Sequence, residues 1–332
     1  MTNTISRRKF IGTTAAGAST LALLGSPAVF AQDDLPTIKV GTRPFTEHLI
    51  LGEIVSQLLE NAGYGADRLF NLGGAAITQE ALINGEIDTL VEYTGTALIV
   101  MLEEELPEAD ASPVAEGSAT PVAGDSATPA AVGSRSDKVY EIVKEKYPDA
   151  FGLEVLERWG FNNTYALAMR RDKAEELGVT KISDLAPMAG DLNIGTEYEA
   201  STREDGVPGL QKAYEFEFGD MTTLDPGLMY TAVEAGDVDV ITAYSTDGRI
   251  ESMDLVLLED DREFFPPYDA APVVRIEVLE ANPEIRDVLN QLAGKIDDAR
   301  MTSMNNMADG EGMEHSEIVR NLLIEEGIVQ ED

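Results

Sequence analysis

Two tyrosines stand at matching places in a phrase that the chain writes twice. Residues 81–96 read Ala-Leu-Ile-Asn-Gly-Glu-Ile-Asp-Thr-Leu-Val-Glu-Tyr-Thr-Gly-Thr, and residues 232–247 read Ala-Val-Glu-Ala-Gly-Asp-Val-Asp-Val-Ile-Thr-Ala-Tyr-Ser-Thr-Asp. Ala81 aligns with Ala232, Gly85 with Gly236, Asp88 with Asp239 and Tyr93 with Tyr244, at one offset and without a gap. In each copy a helix runs to a glycine, the residue that suits the left-handed position ending a helix. Ile87, Leu90 and Val91, like Val238, Val240 and Ile241, then form a short strand suited to a buried sheet. A tyrosine arrives where that strand runs out, and open α/β sheets bind ligands at the carboxyl ends of their strands. The chemistry this predicts is ligand recognition in a cleft between two similar lobes.

Other chemistries lack their residues. The sequence has no phosphate loop, no Gly-x-Ser-x-Gly elbow and no cysteine, so thiolate metal sites, disulfides and a lipid-anchored cysteine are excluded. The two histidines, His48 and His315, are not in any metal-ligand spacing and are expected at the surface, so neither metal nor cofactor is predicted. Acid pairs occur everywhere among 61 acidic residues, so none singles out a catalytic pair. An enzyme is therefore disfavoured.

The elements that carry the two tyrosines begin after an export signal. Ser6-Arg7-Arg8-Lys9-Phe10-Ile11 has the form of a twin-arginine motif, an apolar stretch follows, and Val29-Phe30-Ala31 puts small residues where a signal peptidase reads. Residues 1–31 are expected to be removed, with cleavage after Ala31; glycines and Pro27 dilute the apolar run too much for a permanent anchor. The formal charge of −37 becomes three units more negative without Arg7, Arg8 and Lys9. Such a chain repels phosphate backbones, so nucleic acid is excluded as a partner. The charge speaks to solubility and not to fold.

Along the chain, 37–41 reads as a first strand and Thr46 as the cap of a helix with Leu51, Val55, Leu58, Leu59 and Ala62 on its buried stripe. A second strand is expected at 67–71, giving a β-α-β-α-β series and a mainly parallel sheet flanked by helices. Residues 108–134 lose all apolar periodicity, and Ser-Ala-Thr-Pro recurs at Ser118 and Ser126. They read as a low-complexity surface insertion that cannot bury a core. A strand from Asn162 to Met169 opens the second lobe, and the rigid run Phe264-Phe265-Pro266-Pro267-Tyr268 marks the return. Asn282-Pro283 reads as the cap and first position of a C-terminal helix carrying Ile285, Val288, Leu289, Leu292 and Ile296.

Several separate words, in order, resemble one family. They are Arg43 through Glu53, Asn71-Leu72-Gly73-Gly74, Glu92-Tyr93-Thr94-Gly95-Thr96, Asn163-Thr164-Tyr165-Ala166-Leu167, Arg203-Glu204-Asp205-Gly206, Ser245-Thr246-Asp247-Gly248-Arg249-Ile250 and Phe264-Phe265-Pro266-Pro267-Tyr268. The chain is similar to the extracytoplasmic binding proteins of osmoprotectant ABC transporters, which take glycine betaine, proline betaine, carnitine or choline. The resemblance runs from about Ile38 to the C-terminal helices and fails only in the insertion.

It implies an α/β, two-lobed periplasmic-binding-protein clamshell of type II form with two crossings between lobes. Lobe one is then 36–163 plus 265–332, and lobe two 164–264. It further implies an aromatic cage of Tyr93, Tyr165, Tyr244 and Tyr268. A quaternary ammonium has no N–H to donate, but the negative faces of aromatic rings hold it, at ~0.5–2 kcal/mol per ring. Arg43, where the family often has Lys, and Arg203 are expected to receive a ligand carboxylate through forked bonds, with Thr96 adding a hydroxyl. The implied partners are a small quaternary-ammonium ligand and a membrane permease, and the protein is expected to be a monomer outside the cytoplasm. A trimethylammonium binder of choline or carnitine type, a periplasmic enzyme on the same fold and a sensor input domain are the alternatives.

Overall fold

A computed structural model describes residues 35–107 and 134–330. The twin-arginine-type signal at 1–31 lies outside the described residues, as does the insertion except for Ser134. Ten strands occur among the described residues: β1 (Thr37–Gly41), β2 (Gly65–Leu69), β3 (Thr89–Tyr93), β4 (Leu153–Val155), β5 (Tyr165–Arg170), β6 (Asn193–Thr196), β7 (Asp220–Thr223), β8 (Val240–Tyr244), β9 (Leu255–Leu258) and β10 (Ala270–Arg275). The helices before the second sheet are α1 (Thr46–Asn61), α2 (Ala75–Ile83), α3 (Thr94–Thr96) and α4 (Arg135–Phe151). Those between its strands are α5 (Arg171–Leu177), α6 (Tyr198–Thr202), α7 (Val207–Tyr214), α8 (Pro226–Ala235) and α9 (Arg249–Ser252). The chain ends with α10 (Ile276–Ala281), α11 (Ile285–Leu289), α12 (Asp298–Asp309) and α13 (His315–Glu325).

Two five-stranded sheets result, in the orders β2-β1-β3-β10-β4 and β7-β6-β8-β5-β9. They are mixed, each with four strands running one way and one, β10 or β5, running against them. β1 runs parallel to β2 and β3, while β10 is antiparallel to β3 and β4. The second sheet repeats the scheme: β6 is parallel to β7 and β8, and β5 is antiparallel to β8 and β9. The inverted strands are those next to the segments joining the sheets. β5 follows the first connection and β10 follows the second, so each enters its sheet from the cleft side. The two connections lie side by side. Asn162 and Asp269 form a bridge, Tyr268 N donates to Asn162 Oδ1 at 2.6 Å, and Asn163 N donates to Tyr268 O at 3.2 Å.

The apolar stripe of α1 fills the first core. Ile50, Leu51, Ile54, Leu58 and Leu59 are buried there with Trp159, Ile318 and Leu322. Each such side chain contributes roughly 1.5–3 kcal/mol by leaving water. Leu167, Met169, Ile194, Leu210 and Val240 build the core of the second sheet with α7.

Three local expectations shift. Phe45, not Thr46, holds the cap position of α1, without a side-chain cap, and Thr46 Oγ1 instead donates to Asp309 Oδ1 at 2.6 Å. β2 begins two residues earlier than its apolar content suggests, because its register is set by pairing with β1. α11 starts at Ile285 behind Glu284, so Asn282 does not cap it; Asn282 N and Nδ2 instead bond back to Val278 O at the end of α10.

Arg135 Nε donates to Pro107 O at 3.1 Å, which holds the two flanks of the insertion together. Removing residues 112–132 is therefore expected to leave the melting temperature and ligand affinity nearly unchanged, since loop length enters closure entropy only logarithmically. A several-fold loss of affinity in the shortened protein would show that the insertion touches the cleft.

Candidate functional site

The repeated phrase folds as it reads. Gly85 and Gly236 take φ of +72° and +78° after α2 and α8, and Tyr93 and Tyr244 are the last residues of β3 and β8. Tyr165 opens β5 and lies in register opposite Tyr244, while Tyr268 precedes β10, which pairs with β3. Three rings meet: Tyr165 lies 5.6 Å from Tyr244, tilted by 31°, and 5.6 Å from Tyr268, edge-on at 86°. Phe45, missed in the sequence because it reads as loop, stacks on Tyr244 at 5.9 Å and 8°. The close approach of Tyr268 depends on Gly95, where a Cβ would fall 2.8 Å from the Tyr268 ring and 2.7 Å from Pro267 O.

All seven expected residues, Tyr93, Tyr165, Tyr244, Tyr268, Arg43, Arg203 and Thr96, line one cavity together with Phe45, Asn163 and Glu199. Its volume is about 40 Å³, room for roughly three waters. Past Phe45, Glu199 and Tyr244 lies an opening of about 620 Å³ bordered by Ile77, Tyr198 and Leu228.

Three ring hydroxyls are each held by a buried acid. Tyr93 Oη donates to Glu47 at 2.6 Å, Tyr165 Oη to Glu197 at 2.9 Å, and Tyr268 Oη to Asp205 at 2.6 Å. Burial pushes all four tyrosines well above their ordinary value, so they stay neutral. Glu197 also caps α6, accepting from Ala200 N at 2.6 Å and Glu199 N at 2.5 Å.

Glu47 is the most heavily bonded of these acids. Its Oε1 also accepts from Asn163 Nδ2 at 2.8 Å, and its Oε2 from Thr246 Oγ1 at 2.5 Å and Asn305 Nδ2 at 2.9 Å. Burial pushes its carboxyl above the usual range, and the four hydrogen bonds oppose that. Thr246 belongs to the segment after β8 and Glu47 to the first turn of α1, so this carboxylate ties the two halves together.

The arginines are already engaged. Arg43 is buried and forms an ion pair with Glu92, and its Nε lies 3.5 Å from Thr78 Oγ1. Burial works against the Arg43 charge, but Glu92, with Glu199 adding to it, holds the guanidinium above its ordinary value. Arg203 makes a forked pair with Asp205, through Nε at 2.7 Å and through Nη2, and its Nη1 lies 3.5 Å from Glu199. Arg203 Nη2 also reaches Thr96 Oγ1 at 3.4 Å, and its Cζ lies 5.8 Å from the Tyr165 ring centre.

His48 is not at the surface. It is fully buried on α1, and its Nδ1 accepts from Arg43 N at 3.1 Å, fixing the loop that carries Arg43. Burial, and next the charge of Arg43, hold it well below the ordinary 6.5. Its folded value is thus depressed relative to the unfolded chain. Stability should be unaffected by this group above pH ~6.5 and fall below it at up to ~1.4 kcal/mol per pH unit as the unfolded chain takes up a proton. Denaturant melts of wild type and His48→Gln between pH 7.5 and 5.5 should diverge in slope, and parallel curves would contradict this. Tyr140 lies outside the cavity, on the buried face of α4, its hydroxyl donating to Leu156 O at 3.1 Å. Tyr140→Ala therefore reports on folding, and the 72% exposed Tyr198 is the only open tyrosine among the described residues.

This geometry has relatives. The model for the substrate binding domain of the ABC-type glycine betaine transport system matches residues 36–325. A carnitine transport binding protein of Listeria monocytogenes is 33% identical over 290 residues, 86% of each chain. A glycine-betaine-binding protein of Pseudomonas aeruginosa is 32% identical over 308 residues, 89% of each. A solved structure described as a glycine betaine/carnitine/choline ABC transporter superposes with a TM-score of 0.66 at 30% identity, covering 88% of this chain and 99% of that one. The protein is thus a two-lobed binding protein and not an enzyme, and it belongs to the family of substrate-binding domains of ABC-type glycine betaine transport systems.

Proposed function

We propose that this protein captures a quaternary-ammonium osmoprotectant, glycine betaine or proline betaine, and delivers it to a membrane permease. The observation that carries this reading is the convergence of Tyr93, Tyr165, Tyr244 and Tyr268 on one cavity with Arg43 and Arg203 beside them. The rings take the cationic head. Arg43 and Arg203, with Thr96 beside them, take the tail carboxylate, Arg203 through Nη1, the nitrogen that Asp205 does not bind. Residues 36–163 with 265–332 and residues 164–264 act as the two lobes. They rotate about the paired connections, and ligand binding shifts the population toward the closed form that the permease reads. The protein works as a monomer outside the cytoplasm, with its chain starting at Gln32 after removal of 1–31.

A second reading is a net-cationic ligand such as choline. It is favoured by the ion pairs that already occupy both arginines, so that no carboxylate is needed to satisfy them. A thermal-shift panel of betaines, choline, carnitine and ordinary amino acids tests the function. Stabilisation by quaternary-ammonium compounds alone is expected, and a response only to ordinary amino acids would overturn it. Mass spectrometry of the exported chain tests the start at Gln32; an intact 1–31 segment would refute cleavage.

A further inference from the structure

Glu199 is an acid in the cavity wall that the mechanism above leaves unused. It sits on α6, beside the second sheet, and reaches across the cleft to the first. Its Oε1 accepts from Ala75 N, the first residue of α2, at 2.6 Å. Gly74, at the cap of α2, has no side chain to serve that amide, and a Cβ there would fall 2.4 Å from the Glu199 oxygen. The other carboxylate oxygen, Oε2, lies 3.5 Å from Arg203 Nη1. The ionic groups at the cavity then do not balance. Arg43 is matched by Glu92 and Arg203 by Asp205, while Glu47 and Glu197 lie behind the rings on the Tyr93 and Tyr165 hydroxyls. This leaves Glu199 as the one acid in the cavity wall itself, in surplus over the two arginine pairs.

We propose that Glu199 sets how the cavity discriminates between a net-cationic trimethylammonium ligand and its zwitterionic carboxylate analogue. This rests on the cage reading above. Both ligands offer the same head to the rings, so only charge and tail distinguish them. A surplus anion attracts the cation, whose net charge is one, more than the zwitterion, whose net charge is zero. A tail carboxylate heading for Arg203 also meets Glu199 already at Nη1. Both effects act in the same direction, so neutralising Glu199 must favour the zwitterion.

The test is calorimetric titration of choline and glycine betaine into wild type, Glu199→Gln and Glu199→Asp. Glutamine keeps an acceptor for Ala75 N and removes the charge. The ratio of betaine to choline affinity should rise about tenfold, the size of one partly screened charge interaction. Glu199→Ala gives the same readout should the glutamine variant not fold. Aspartate keeps the charge but shortens the reach to α2, so both affinities should fall together with the ratio near the wild-type value. An unchanged ratio in the neutral variants, with both ligands still bound, overturns the role of Glu199 and leaves the cage standing. A ratio moved equally by aspartate also overturns it, because charge would not be the cause. Wild type binding neither ligand removes the cage reading and this inference together.

Discussion

Replacing Tyr165 with alanine is expected to weaken binding of a quaternary ammonium about thirtyfold, the equivalent of ~2 kcal/mol. Tyr165 is the ring that the others surround, with Tyr244 and Tyr268 at 5.6 Å and Phe265 at 6.2 Å. Its loss removes one desolvated π-face and frees two neighbours from the contacts that fix their tilt. Tyr165→Phe keeps the face and gives up only the bond to Glu197, which retains two backbone donors from α6. The phenylalanine variant should therefore bind within about threefold of wild type, the range of one modest hydrogen bond. Calorimetry on both variants reads this directly. Equal losses in the two would mean that the hydroxyl, and not the ring, holds the ligand.

Glu47→Ala should be the most damaging single change to the folded protein. It removes the acceptor of four buried donors at once, stranding Tyr93 Oη, Asn163 Nδ2 and Thr246 Oγ1 and leaving Asn305 Nδ2 with only its bond to Thr246 O. One stranded donor costs about 1–3 kcal/mol, and water entering the hole recovers part of the sum. A net loss of roughly 4 kcal/mol in denaturant unfolding is expected, with loss of binding beyond the unfolded fraction because Tyr93 loses its anchor. The excess separates a positioning role from a purely structural one. Unfolding free energy within ~1 kcal/mol of wild type would show that the donors find other partners.

What the sequence made legible here is local grammar. A glycine with positive φ between a helix and an apolar strand is written in the residues themselves, so both copies of the phrase and the positions of Tyr93 and Tyr244 could be read. The direction of β5 and β10 could not. It depends on the path of the two connections through space, and apolar content is the same for either direction. The acids that hold the rings were equally hidden. Glu47, Glu197 and Asp205 are three among 61 acidic residues, and what distinguishes them is burial against a particular hydroxyl. Glu47 and His48 also fall together on α1, where charge and imidazole suggest an exposed face. Both are buried because the loop carrying Arg43 and the end of β3 close over them. Arg43 and Arg203 line the cavity with the rings, but their pairing with Glu92 and Asp205 is a tertiary fact, and it changes what they ask of a ligand.

Tetramethylammonium separates head from tail, and titrating it calorimetrically into the full chain tests the central claim most directly. It carries the cationic head that the rings of Tyr93, Tyr165, Tyr244 and Tyr268 are proposed to hold, and nothing for an arginine to bind. The account predicts saturable binding of one ion per chain, weaker than that of a complete ligand and weakened a further about thirtyfold in Tyr165→Ala. Glycine, which has the carboxylate but no methyl groups, should give no heat. Binding of glycine with no response to tetramethylammonium would contradict the cage.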